Sequence, residues 1–198
     1  MDDLISDTEL IRQMRNGDKS AFTALYRRHQ AALYRYAVLR CGSNALAADV
    51  VQDVFMGLMT DQYKYDALRG QLRYFLFGVA RNVAMKHDSA LQKTASAMNE
   101  LEDDDPLDEV ICENAAPLER LMRDRMAEDL RQAIASLAMH YRDVLILYEM
   151  HEMSYLEIAD ICQINVGTVR SRLSRARLAL AERLSQYRSA CAVNGQRA

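Results

Sequence analysis

Apolar residues recur along this chain at three- and four-residue steps, and no useful length alternates with a period of two. The pattern predicts helices throughout. It is dense from about residue 5 to 88 and again from about 122 to 188. In the first block "LIRQM", "AFTALYRRHQAALYRYAVLR", "ALAADVVQDVFMGLM" and "QLRYFLFGVARNVAMKH" each read as a helix. Ser6 with Glu9 fits a capping box for the first, and Asn44 is placed to cap the third. Gly17, Gly42 and Gly70 separate the segments. In the second block Ser154 with Glu157 forms another capping box, opening "YLEIADIC". The break "QIN" follows, and Asn165 can cap a further helix. A short helix, a tight turn and a second helix in about 25 residues have the dimensions of a helix-turn-helix.

Between the blocks lies "TASAMNELEDDDPLDEVICENAAPLE", with both prolines, the run Glu102-Asp103-Asp104-Asp105 and no Lys or Arg. Such a segment buries little and repels itself, so it reads as a flexible acidic linker. The expected fold is therefore all-α, with two small helical domains joined by that linker. Their expected bounds are 5–90 and 122–188, with the linker at 91–121, and the C-terminal domain carries the helix-turn-helix.

Composition narrows the class further. The chain has 198 residues, half of them hydrophobic and 27% charged, with few Gly and Pro. That profile is soluble and helix-favouring. No apolar run approaches the roughly 20 residues of a membrane span, and the acidic start "MDDLISDTEL" lacks the marks of a signal peptide. A cytoplasmic protein without membrane insertion is expected. Cys41, Cys112, Cys162 and Cys191 lie far apart with no metal-ligand spacing, and read as reduced structural thiols. No Gly-rich phosphate loop, HExxH or nucleophile elbow is present. No catalytic residue, metal site or cofactor is expected.

The net charge is -3, yet Arg170, Arg172, Arg175 and Arg177 cluster within one helix. Val166, Val169, Leu173, Ala176 and Leu180 share its core stripe. Gly167, Thr168, Ser171, Ser174 and Arg175 turn away, with Arg170, Arg172 and Arg177 on the flanks. Small outward side chains let a helix approach base edges in a major groove, and flanking arginines reach phosphates. Thr168, Arg170, Ser171, Arg172, Arg175 and Arg177 are thus candidates for duplex DNA. Ser171, Arg172 and Arg175 are placed towards bases, and Arg170 and Arg177 towards phosphates.

Two faces in the first block are candidates of another kind. On "QLRYFLFGVARNVAMKH" the expected core stripe is Leu72, Phe75, Leu76, Val79 and Val83. The opposite face carries Tyr74, Phe77, Arg81 and Met85, with Arg73 to one side and Asn82 and Lys86 nearer the stripe. Aromatic rings beside cations suit unpaired bases, and the preceding loop adds Tyr63, Lys64, Tyr65 and Arg69. The same rings could instead pack against another helix. On "ALAADVVQDVFMGLM", Val50, Val51, Val54, Phe55 and Leu58 point inward, while Asp49, Gln52, Asp53 and Met56 point out. Periodicity alone makes that outer face a solvated one.

Taken together, these parts resemble an extracytoplasmic-function sigma factor of the sigma-seventy family. "AFTALYRRHQAALYRYAVLRCGSNALAADVVQDVFMGLM" and "YDALRGQLRYFLFGVARNVAMKH" resemble its region two. "ASLAMHYRDVLILYEMHEMSYLEIADICQINVGTVRSRLSRARLAL" resembles region four. The resemblance covers about three-quarters of the chain. It implies core RNA polymerase and promoter DNA as partners, an anti-sigma factor as a controlling partner, and no enzymatic activity. It makes Asp49, Gln52, Asp53 and Met56 polymerase-binding candidates. It assigns Tyr63, Lys64, Tyr65, Arg69, Arg73, Tyr74, Phe77, Arg81 and Asn82 to the melted downstream element, and the arginine helix to the upstream duplex. Two departures stand out: Phe75 replaces a frequent Trp, and "MTDQ" replaces a basic or aromatic cluster. Two rivals explain less. A stand-alone helix-turn-helix regulator leaves the first block idle, and a small helical enzyme or metal sensor would use His87, His140 and the cysteines without ligand spacing.

Overall fold

The structure is a computed structural model, and it describes residues 5–95 and 117–185. The acidic stretch at the centre of the expected linker, residues 96–116, lies outside the described residues. Eight α-helices are described, with no strand among the described residues. They are α1 (Asp7–Arg15), α2 (Lys19–Cys41), α3 (Asn44–Met59), α4 (Leu72–Ala95), α5 (Pro117–Ala135), α6 (Met139–Glu149), α7 (Tyr155–Cys162) and α8 (Val166–Arg183). One turn of 3-10 helix, Ala67–Arg69, interrupts the loop between α3 and α4. Helix α4 runs past the expected linker start, and α5 begins at Pro117, a first helical position where the missing N–H costs nothing. The chain divides into two compact units, one built on α1 to α4 and one on α5, α6, most of α7 and α8.

In the first unit α2 packs against α1, α3 and α4, and α3 packs against α4. Leu25, Leu33, Tyr36 and Ala37 of α2 are almost wholly buried, as are Val50, Val54, Phe55 and Leu58 of α3. Each such large apolar side chain contributes about 1.5–3 kcal/mol. Two polar ties fix the helices. Arg40 of α2 is fully buried and pairs with Asp88 of α4 at 2.7 Å. Asp7, at the start of α1, meets Arg28 at 2.6 Å and His29 at 3.0 Å, both on α2.

The helix ends follow local chemistry, with two changes from expectation. Ser43 rather than Asn44 caps α3, accepting from Leu46 N–H, because Asn44 is already the first helical residue. Ser6 accepts from Glu9 N–H, but the Glu9 carboxylate turns forward to Arg12 and Gln13, so the box is half made. Gly42 ends α2 in the left-handed region (φ 70°), where a side chain would be strained.

In the second unit α8 packs on α6 and α5. The core comprises Ile134, Val144, Ile146, Leu147, Met153, Ile158, Val169, Leu173 and Ala176. The buried guanidinium of Arg142 donates to the carbonyls of Ala135 and Leu137, closing the end of α5.

Candidate nucleic-acid and partner interfaces

The outer face of α3 is as the period requires. Its apolar residues enter the core, and Asp49, Gln52, Asp53 and Met56 are exposed, Met56 by 47%. Asp53 does not stand alone. Its Oδ2 lies 3.1 Å from Nε2 of His87 on α4. The surface offers acid, amide and thioether, a set suited to a partner carrying cationic and apolar groups.

The loop after α3 and the helix α4 form a second surface. Lys64, Arg69, Arg73 and Asn82 are exposed, and Tyr63, Tyr74 and Arg81 are half-buried. Tyr63, Val79, Asn82, Val83, Met85, Lys86 and Ser89 line a groove of about 700 Å³. Two candidates are placed otherwise than expected. Tyr65 is buried; its hydroxyl donates to Gly70 O at 2.9 Å, and its ring lies 5.5 Å from that of Phe75. Phe77 is 1% exposed and meets Tyr36 edge-on, with ring centroids 5.5 Å apart. The core arc of α4 is Leu72, Leu76, Phe77, Val79, Ala80, Val83 and Ala84, and Phe75 lies half-buried beside it. The reason is that α4 packs against both α2 and α3, so its buried arc is wider than one stripe. Leu68, at the loop tip, is 96% exposed, a feature that spacing does not reveal.

The third surface is the helix-turn-helix. Ser154 and Glu157 make the full reciprocal capping box at α7, at 2.7 and 3.3 Å. Gln163 closes α7 in the left-handed region (φ 55°). Gln163 N–H then donates to Asp160 O, and Ile164 N–H to Ala159 O, the pair of bonds of a Schellman ending. Two residues later Asn165 Oδ1 accepts from Thr168 N–H at 3.0 Å and from its hydroxyl at 2.7 Å, starting α8. Thr168 is thereby engaged and half-buried.

Along α8, Val169, Leu173 and Ala176 are buried, while Arg170, Ser171 and Arg175 are exposed and Arg172 is half-buried. Arg175 Nη1 lies 3.4 Å from the hydroxyl of Tyr141, which aims its side chain across α6. Arg177 differs from the others. It donates from Nε and Nη2 to Glu149 Oε1, at 2.8 and 2.7 Å, and its guanidinium lies 5.0 Å from the centre of the Tyr148 ring. The hydrogen bond to Glu149 raises its pKa. Arg177 thus ties α8 to α6 while its side chain stays exposed. Its partner lies 28 residues away, which no local pattern exposes.

Among the described residues no three His, Cys, Asp or Glu side chains gather as metal ligands. No described helix is long and apolar enough to cross a membrane.

The first unit thus carries an acidic helix face and a groove lined by Tyr63 and Asn82, and the second a cationic helix-turn-helix. Comparison with known proteins gives the class. The family model for Sigma-70 region 2 matches residues 25–93, and that for Sigma-70, region 4, matches residues 127–180. The RNA polymerase sigma-H factor of Pseudomonas aeruginosa is 31% identical, over 88% of this chain and 91% of its own. The ECF RNA polymerase sigma-E factor of Escherichia coli is 30% identical, over 91% of this chain and 95% of its own. The ECF factor SigW of Bacillus subtilis is 25% identical, over 88% and 94%. Two solved structures share the fold. One is the sigma factor RpoE of Bartonella quintana in complex with the anti-sigma factor NepR (TM-score 0.65, 23% identity, 83% of this chain and 96% of that one). The other is CnrH in complex with the cytosolic domain of CnrY (TM-score 0.62, 24% identity, 92% and 99%). The chain belongs to the sigma-70 family of RNA polymerase sigma factors, in its extracytoplasmic-function group, and directs transcription initiation.

Proposed function

We propose a division of labour among the three surfaces. The α3 face of Asp49, Gln52, Asp53 and Met56 docks on core RNA polymerase. Tyr63, Lys64, Arg69, Arg73, Tyr74, Arg81 and Asn82 hold the melted downstream strand, joined by Phe75 at the edge of the core arc. Cations track its backbone, and rings and amide meet its bases. Thr168, Arg170, Ser171, Arg172 and Arg175 engage the upstream duplex, with the small outward side chains allowing close approach. Tyr65 and Phe77 belong to the packing beneath the first unit's surface, and exposed Arg177 ties α8 to α6. Residues 5–90 and 122–188 are the two working domains, and 91–121 join them.

The chain itself makes and breaks no bond in this account; the polymerase supplies the chemistry. It acts in the cytoplasm, where polymerase and chromosome are. An anti-sigma protein is the proposed restraint, by analogy with the complexes formed by RpoE and CnrH. The observation that carries the reading is the sharp separation of α3: Val50, Val51, Val54, Phe55 and Leu58 are buried, while Asp49, Gln52, Asp53 and Met56 lie out.

The test is charge reversal, Asp49→Lys with Asp53→Lys. Neither side chain enters the core, so helix content stays at the parent level. Affinity for core polymerase falls at least about tenfold, as expected when charge pairs across an interface are reversed. Parental affinity in the double variant would reject this docking face. Failure of the parent to bind polymerase at all would favour a stand-alone regulator.

A further inference from the structure

Helix α3 holds a glycine where helices disfavour one. Gly57 is buried in its last turns, and glycine destabilises a helix interior relative to alanine. The chain beyond explains its presence. Thr60 N–H bonds back to Met56 O at 2.9 Å, and Asp61 turns through the left-handed region (φ 55°). Tyr63 N–H then donates to Gly57 O at 3.1 Å, folding the loop over the helix end. The Tyr63 ring comes to rest on the bare backbone. A methyl group at Gly57 would overlap Cδ2 and Cε2 of that ring and lie 3.0 Å from its Cζ. Arg15 pins the loop from the other side, through Asp61 at 3.2 Å and the Tyr65 carbonyl at 3.4 Å.

Seated there, the Tyr63 ring forms one side of the groove whose other side is Asn82, Met85 and Lys86 of α4. We infer that Gly57 is a positioning residue for promoter opening: its missing side chain is the seat that sets the Tyr63 wall of this groove. The inference rests on the proposed role of the groove in holding the melted strand. It also joins two functions on one helix, since Gly57 follows Met56 of the proposed polymerase-docking face on α3.

The experiment uses the full chain with core polymerase. The variants are Gly57→Ala, Tyr63→Ala and the double substitution. Opening is read from 2-aminopurine fluorescence in the downstream element, and polymerase binding is read separately. Gly57→Ala is expected to reduce opening about tenfold, the scale of one lost aromatic–base contact, with polymerase affinity unchanged. Tyr63→Ala does the same. The double variant is no worse than either single one, because the two changes remove one interaction.

A helix-propensity role alone makes the opposite prediction: Gly57→Ala would then stabilise α3 and leave opening intact. Parental opening in Gly57→Ala, or losses that multiply in the double variant, overturns the inference. An NMR contact between the Gly57 α-protons and the Tyr63 ring separates this from failure of the underlying reading. Its absence in the parent rejects the seat. Its presence, with parental opening in Tyr63→Ala, rejects the promoter role of Tyr63 and leaves the seat as architecture only.

Discussion

Phe75 and Phe77 sit two positions apart on α4 and exchange the roles that apolar spacing gives them, so their alanine variants should separate cleanly. Phe77 is 1% exposed and wedged edge-on against Tyr36. Replacing such a ring with alanine removes its transfer energy and leaves a cavity, costing about 3–5 kcal/mol. A domain holds only about 5–15 kcal/mol in total, so the first unit is left marginal. With a urea slope of about 1–3 kcal/mol per M, the unfolding midpoint falls by about 2 M. Phe75 is half-buried and touches Tyr65 at its rim, so Phe75→Ala costs about 1 kcal/mol, mostly lost area and the ring contact. Urea titration of the full chain by circular dichroism measures both. Promoter opening should respond in the reverse order once each protein is assayed where it is folded: Phe75→Ala impairs it and Phe77→Ala does not. Equal destabilisation by the two variants, or a larger loss for Phe75→Ala, would refute this placement of the α4 core.

Three other outcomes follow from the geometry. Arg177→Ala loses an exposed ion pair and a cation–ring contact, so it costs about 1 kcal/mol of stability in a melting experiment while the salt slope of upstream-element binding stays unchanged. Arg170→Ala lowers that slope by about one unit, and equal slopes for the two variants would return Arg177 to the phosphates. Arg172→Ala or Arg175→Ala costs about 1–3 kcal/mol on the matched element and relaxes preference at one base pair, read by binding to single-mismatch duplexes; unchanged preference in both removes α8 from base reading. The hydrogen bond with His29, reinforced by Arg28, holds the Asp7 carboxyl below its ordinary value of 3.8. Its contribution is therefore present above that value and is lost as pH falls through the lowered one. Parent and Asp7→Asn should differ in stability at neutral pH and converge as acid protonates the Asp7 carboxyl, and a constant difference down the titration would contradict the tie.

The helices themselves were legible because amphipathic segments carry their core stripe in the local period. The outer face of α3 was legible for the same reason: one side of it is apolar and the other is not. Local capping made the helix-turn-helix readable, since Ser154, Glu157 and Asn165 each act within three residues. The inner side of α4 was harder. Leu72, Phe75, Leu76 and Val79 satisfy the helical step, and so do Phe77, Ala80 and Ala84, where two neighbouring helices come close. Small residues carry little weight in an apolar count, yet the alanines beside Phe77 were the available signal. Tyr65 and Arg177 depended on partners distant in sequence or on the fold of a loop, and spacing has no access to either. The seat at Gly57 was hidden likewise, because glycine in a helix looks like a weakness until the ring above it is seen.

The central claim is that this chain gives core RNA polymerase its starting points. The direct measurement is transcription of genomic DNA by core polymerase with and without the protein, with transcript starts mapped at single-nucleotide resolution. The account predicts new starts that share one upstream duplex element and one downstream element, and that disappear with Asp49→Lys and Asp53→Lys. An identical set of starts with and without the protein would contradict it.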